Sequence, residues 1–194
     1  GLHVLPDGKI YFVAMGSTAG GAGEYRLNSD GTLDSAYVGD PSIAASSFKV
    51  SVDGAGRMVF FGSDLQGSYR FFRLSTSGSN DISFDPKARD FASVSVAARQ
   101  PDGKYIVAGE FDRINNVNRQ GIARISADGT IDASFDGGTG FSSPPREMVV
   151  QADGKLLAIG DFTTFDGATV SRLVRINGDG TRDTGFNVTI TQSI

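Results

Sequence analysis

The sequence repeats itself with a period near fifty residues, and this period limits the possible folds more than any other property of the chain. The stretch QPDGKYIVAGEF at 100–111 returns as QADGKLLAIGDF at 151–162. Edited copies stand at 5–16 (LPDGKIYFVAMG) and 52–62 (VDGAGRMVFFG). A second phrase follows each: YRLNSDGTLDSAY at 25–37, FRLSTSGSNDISF at 72–84, ARISADGTIDASF at 123–135 and VRINGDGTRDTGF at 174–186. Its glycines, Gly31, Gly78, Gly129 and Gly180, lie 47, 51 and 51 residues apart. Self-similarity at such a period marks solenoids, propellers or arrays.

The repeating unit reads as β. KYIVAG and KLLAIG are short apolar runs bounded by turn residues, as expected of strands buried on both faces. In QPDGK, proline pre-sets φ, aspartate tolerates the second position and glycine takes the left-handed third. That is a three-residue hairpin loop, a type I turn with a glycine bulge. Gly178-Asp179-Gly180 reads the same way. Glycine, at 26 of 194 residues, is therefore turn material rather than a fibrous period. Two hairpins per unit give four strands, the pattern of a propeller blade. The expectation is an all-β chain: a β-propeller built from four repeated four-stranded blades, a closed ring or part of a larger one. The repeats run at about 1–38, 39–87, 88–138 and 139–187 within a single domain, with 188–194 a terminal strand or linker.

Four residue pairs recur with a spacing of eight: Arg26 and Asp34, Arg73 and Asp81, Arg124 and Asp132, Arg175 and Asp183. Centring the hairpin on its loop sets each arginine opposite its aspartate, which predicts a structural cross-strand ion pair. The alternative is a calcium loop, because N-x-D-G-x-x-D at 177–183 resembles the end of such a cage. Arginine stands where the cage would open with aspartate, and it supplies the charge a metal would bring, so no metal is expected. Tyr37, Phe84, Phe135 and Phe186 each follow an aspartate by three residues and are expected in the core between blades.

The two phrases together, QPDGK-(apolar)-AG-[ED]-F and R-[IL]-[NS]-x-D-G-T-x-D-x-x-F, resemble the delta-60 repeat family. The resemblance is strongest in the third and fourth copies. It implies a propeller repeat of large bacterial surface and secreted proteins, hence an extracellular or cell-surface setting, and it implies no catalytic residues.

Composition narrows the function classes. The formal charge is −4 and no Lys/Arg block stands out, so a nucleic-acid footprint is missing. There is no cysteine, which removes disulfides and thiolate chemistry. No apolar run reaches the length of about 18 residues that a membrane helix needs. His3 is the only histidine, and no cofactor is implied. The segments between phrases differ among copies, and variable loops on a repeated frame are where binding resides. Arg113, Asn115, Asn116, Asn118 and Arg119 form the richest such loop, with amides and guanidinium groups suited to sugar hydroxyls. Asp64, Gln66, Tyr69 and Arg70 form a second patch. Phe111 and Phe162, at equivalent positions, are expected in the core. The expected function is non-enzymatic recognition of a glycan or protein ligand at a cell surface. The partners considered include a second copy or a longer fibre. The alternatives are a structural spacer and, more weakly, a carbohydrate-active enzyme, which needs a close carboxylate pair.

Overall fold

The computed structural model describes residues 2–14, 23–40, 47–63, 69–84, 93–114 and 117–188. Among these residues every regular element is a strand. The chain divides into two compact units, Gly1–Asp85 and Pro86–Ile194.

Among the described residues unit one holds two antiparallel sheets. The first is β1 (Leu2–Val4), β2 (Ile10–Ala14) and β3 (Gly23–Leu27), in that order. The second is β4 (Ser47–Val52), β5 (Met58–Ser63) and β6 (Tyr69–Leu74). Unit two repeats the three-stranded plan. β7 (Val94–Arg99) and β8 (Tyr105–Gly109) are followed by a small hairpin, β9 (Arg113–Ile114) and β10 (Val117–Asn118), before β11 (Ile122–Ile125) returns to the sheet. The last copy matches: β12 (Pro145–Val150), β13 (Leu156–Gly160), the hairpin β14 (Thr164–Phe165) with β15 (Ala168–Thr169), then β16 (Leu173–Ile176). Within unit two the first strands of the two sheets, β7 and β12, run side by side.

The main sheet of each repeat has three full strands, not the expected four. The fourth strand shrinks to one bridge per copy: Leu27 with Leu33, Leu74 with Asn80, Ile125 with Ile131, Ile176 with Arg182. The next residue explains why. The aspartate after the bridge turns its Oδ1 back onto the chain and accepts the amide two residues on, Ala36, Ser83, Ser134 or Gly185. A side chain that captures its own backbone offers an alternative to the ladder, and the strand ends.

The hairpin loops follow the predicted type. In all eight, the amide at the loop entry donates to the carbonyl four residues on and the glycine amide donates back; for Gln100 these bonds are 2.8 and 3.0 Å. The bulge glycine lies at φ 87° in Gly103 and 97° in Gly180, a region closed to most side chains.

The arginine–aspartate pairs are joints of several contacts. Each arginine Nε lies 2.7 or 2.8 Å from its aspartate Oδ2. In three copies the lysine after the first turn, Lys9, Lys104 or Lys155, reaches the same oxygen at 2.7 Å. In the second copy Arg57 instead turns to Asp53 at 2.7 Å and stands 3.9 Å from Asp81. Each guanidinium also caps the following aromatic ring, with Arg26 4.7 Å from Tyr37, Arg73 4.8 Å from Phe84, Arg124 5.2 Å from Phe135 and Arg175 4.6 Å from Phe186. Finally, Arg26 Nη1 donates to Thr76 O in the next sheet, and Arg124 Nη1 donates to Gly178 O at 2.6 Å. Backbone bonds run beside these links: Val38 N to Ser77 O at 3.1 Å, Asp136 N to Asp179 O at 2.8 Å.

Apolar side chains fill the space around these joints. In unit one Tyr11, Met58, Phe60, Phe72 and Leu74 form one cluster. In unit two Ile106, Ala108, Ile122 and Phe135 of one sheet meet Leu156, Ala158, Val174 and Ile176 of the next. The cluster also takes in Phe162 and Phe165. At 0% exposure Phe135 lies fully inside this core, as its sequence position predicts.

Two predictions follow from the joints. Hydrogen bonding from Lys9 holds the Asp34 carboxyl down at about 2, and hydrogen bonding from Lys155 does the same to Asp183. At Asp132 burial pushes upward, but bonds from Lys104, Ser134 and Arg124 outweigh it and the carboxyl is lowered. A depressed folded-state pKa gives stability that is complete above the unfolded value, near 3.8, and is lost as pH falls through the folded value. Melting temperature against pH is therefore expected to fall between pH about 4 and about 2. That fall shrinks in Asp34→Asn/Asp183→Asn.

The second concerns turn packing. A Cβ on Gly180 would lie 2.5 Å from Asp136 O, whereas one on Gly31 meets nothing within 4 Å. Gly31→Ala is expected to cost about 1–2 kcal/mol in urea unfolding, from the left-handed backbone alone. Gly180→Ala should cost more, because it also pushes the two sheets apart.

Candidate functional site

The polar groove of unit two originates in two equivalent β-bulges. The ladder of β7 with β8 shifts between Val94 and Val96, and that of β12 with β13 shifts between Pro145 and Glu147. The extra residues are Ser95 and Arg146. A bulge turns one side chain out of the alternation and bends the strand end, and bulges gather beside binding sites. Close backbone packing supports the first. Glu110 N donates to Ser93 O at 2.8 Å, and a Cβ on Gly109 would collide with that carbonyl.

The two bulges open one groove of about 520 Å³. Its walls carry Ser93, Ser95 and Glu110 from one repeat and Ser143, Pro144, Pro145, Arg146 and Asp161 from the next. Ser95 Oγ spans the join, lying 3.1 Å from Ala108 O and 3.4 Å from Pro145 O. Glu110 and Asp161 are the acidic residues of the two [ED]-F pairs. Arg146 forms an ion pair with Asp161, and both stand well out in solvent at 71% and 54% side-chain exposure. Such a pair contributes about 0–1 kcal/mol to folding, so its charges are free to serve a ligand. A neighbouring recess of about 430 Å³ shares Glu110, Ser143 and Pro144 and adds Phe111, Asp112, Gln120 and Phe141.

The segment 136–144 that links the two repeats is firmly laced. Phe141 bridges Phe165, Ser142 N donates to Thr164 O at 3.1 Å, and Asp166 N donates to Gly140 O at 2.8 Å. Ser142 Oγ accepts the amides of Thr163 and Thr164 at 2.9 and 3.1 Å. A Cβ on Gly140 would collide with Gln120 O. The β14–β15 hairpin closes through Asp166 at φ 47° and Gly167 at φ 71°, the backbone of a tight two-residue turn. The groove thus sits on a frame set by backbone bonds.

The residues singled out from sequence fare unevenly. Arg113 and Asn118 face each other across β9–β10 and are exposed. Arg119 folds back, donating from Nη1 to Asn118 O at 2.8 Å, while its Nε is buried without a partner. These three do not line the groove. Tyr69 and Arg70 pair through their backbones with Ser63 and Gly62 in β6–β5; their side chains, like Asp64, Gln66, Asn115 and Asn116, lie outside the described residues. Phe111 and Phe162 are buried. The groove residues Ser95, Glu110, Arg146 and Asp161 were not predicted. The recurring acidic residue before each phenylalanine was the available sign.

Two further features bear on chemistry. Among the described residues no group of three or more His, Cys, Asp or Glu is placed to hold a metal ion. In unit one Glu24 Oε2 accepts the hydroxyls of Tyr11 and Tyr37 at 2.9 and 2.6 Å, and Oε1 accepts Asp40 N at 2.7 Å. Burial raises the Glu24 carboxyl, against these three bonds. The equivalent places in the third repeat are Ile106, Ile122 and Phe135, so this polar trio belongs to the first repeat alone among those two.

No curated protein matches this sequence. A family model does, described as a domain of unknown function (DUF5122) beta-propeller, over residues 5–37, 100–135 and 151–186. The matched segments are the first, third and fourth copies of the paired phrases. The second copy departs where it matters, with Gly54-Ala55 in place of the Pro-Asp turn and the serine-rich STSGS in place of the second Asp-Gly. With more than half its length matched, the chain belongs to the DUF5122 beta-propeller family.

Proposed function

We propose that this chain is a non-catalytic recognition module of a bacterial surface or secreted protein, binding a glycan or protein ligand. The four repeats are successive blades of a propeller, four-bladed or larger. The supporting observation is the bulge groove: a solvent-open, polar recess on a backbone-laced frame, with Arg146, Asp161 and Glu110 at its rim and prolines in its wall. Opposite charges, serine hydroxyls and flat apolar walls suit hydroxyl-bearing or peptide ligands. The exposed β9–β10 hairpin, with Arg113 and Asn118, extends the same variable side of the sheet. The extracellular setting follows from the resemblance of the repeats to those of large surface proteins.

A second reading, a rigid spacer, draws on the uniformity of the joints. Four hairpin turns of one geometry and two arginine joints in each unit make that unit stiff without reference to any ligand.

A broad glycan array and a surface-protein panel probed with labelled protein separate the two. Recognition predicts a reproducible set of related ligands. Arg146→Ala/Asp161→Ala should then lose at least tenfold in affinity, about 1.4 kcal/mol, while the melting temperature holds. Full binding by that variant, with loss in Arg113→Ala/Asn118→Ala, would move the site to the hairpin. Blank panels would favour the spacer.

A further inference from the structure

The tight-turn end of unit two buries polar atoms that the protein leaves without partners. Gln100 and Gln151 open equivalent hairpin loops. Their amides donate to Lys104 O and Lys155 O at 2.8 and 2.7 Å, and their carbonyls accept Gly103 N and Gly154 N at 3.0 Å. The backbone of both residues is saturated and fixed. Their side chains are not. Oε1 of Gln100, Oε1 of Gln151 and Nε of Arg99 are each buried with no hydrogen-bond partner. Gln100 as a whole is only 6% exposed. All three residues line one cleft of about 420 Å³, with Pro101, Val150 and Ala152 completing it. Native proteins pair nearly all buried polar atoms, so three orphans around one cleft call for an occupant.

The other repeats show that the turn itself does not require these amides. In the first repeat the same position is Leu5, apolar and 4% exposed. In the second it is Asp53, whose oxygens are used. Oδ1 accepts Ala55 N and Arg57 N at 2.9 Å, and Oδ2 accepts Arg57 Nε at 2.7 Å. One fold position is thus filled by an apolar side chain, by a bonded carboxylate, and, in both repeats of unit two, by an amide with its oxygen unspent.

We propose that this cleft is a second binding site, for a hydroxyl-rich ligand of the neutral saccharide class. Two carbonyl acceptors require hydrogen-bond donors from the ligand, and the Arg99 Nε–H requires an acceptor. A hydroxyl is both. A carboxylate, which only accepts, would leave both glutamine oxygens unpaired, and phosphate, with at most one or two hydroxyls among mainly accepting oxygens, matches two acceptors poorly. Pro101, Val150 and Ala152 supply apolar wall for the C–H face of a sugar ring. This site shares no residue with the bulge groove, so it stands or fails independently of the function proposed above.

The test is a ¹⁵N NMR titration of the intact protein with D-glucose, D-galactose and D-mannose, and separately with inorganic phosphate. The side-chain amide signals of Gln100 and Gln151 are followed together with the backbone amides of Val150 and Ala152, which remain to report binding in the double variant. At least one sugar is expected to shift both glutamine signals saturably in the millimolar range, and phosphate is not. In Gln100→Leu/Gln151→Leu, which installs the first repeat's own residue, affinity should fall at least tenfold while the melting temperature stays level or rises. Absence of saturable shifts with all three sugars would overturn the proposal. So would an equal response to phosphate, or binding that survives in the double variant. A marked drop in that variant's melting temperature would show that the amides serve the fold, and would also overturn it.

Discussion

The guanidinium group at the centre of each repeat carries more of this structure than any single apolar contact. One planar cation closes the second hairpin through its aspartate, caps the aromatic ring three residues further on and, in the first and third repeats, reaches the turn carbonyl of the next sheet. A metal ion at this place would give charge without direction. The guanidinium fork gives charge and fixed donor directions together, and it stacks on a ring, which an ammonium does less well. Burial raises the stakes. Arg73 is 3% exposed and Arg26 6%, so each charge depends on its partners being in place. The lysine that joins the aspartate in three copies ties the first hairpin to the second, so a single carboxylate gathers two hairpins of one sheet.

What the joints hold rigid, the bulges and hairpins of unit two then use. In each repeat of unit two a β-hairpin stands between the second and third strands of the sheet, and a laced connector joins the two repeats. The same frame therefore presents two kinds of polar surface in unit two. One is the open groove at the bulges, where charges stand in solvent. The other is the cleft at the turns, where amide oxygens are buried without partners. The first is easily hydrated and costs the fold little. The second is the more demanding feature, because an unpaired buried acceptor is unfavourable until something fills it.

Sequence alone carried the architecture far because turn chemistry is local. An Asp-Gly pair flanked by apolar runs specifies a loop without reference to the rest of the chain, and six such loops, with two more closed by a glycine alone in the second repeat, fix the period and the β class. The eight-residue spacing of Arg26 and Asp34 was legible for the same reason. The lysines were visible as a recurring basic residue, but their partners lie 25 or 28 residues away, across the sheet, where no local rule reaches. The hairpins at 113–118 and 164–169 showed only as longer gaps between the phrases. Their strands of two residues are too short to leave a period. The fourth strand was overestimated because each second turn closes a hairpin, and its far side, led by Leu33, Asn80, Ile131 or Arg182, was counted as a full strand. The aspartate that follows ends it by bonding its own backbone. The bulges at Ser95 and Arg146 were invisible, since one extra residue changes register without changing composition, and with them the groove was missed.

The central claim is that each arginine works by its directed fork rather than by charge alone. Comparing Arg124→Lys with Arg124→Ala in equilibrium urea unfolding tests it most directly. Removing one partner of a buried pair costs about 3–5 kcal/mol. The account predicts that lysine, though it keeps the positive charge near Asp132, recovers little of that loss, because it cannot bond Asp132 and Gly178 O at once over the Phe135 ring. A lysine variant as stable as the parent would contradict the account and reduce the joint to a simple charge pair.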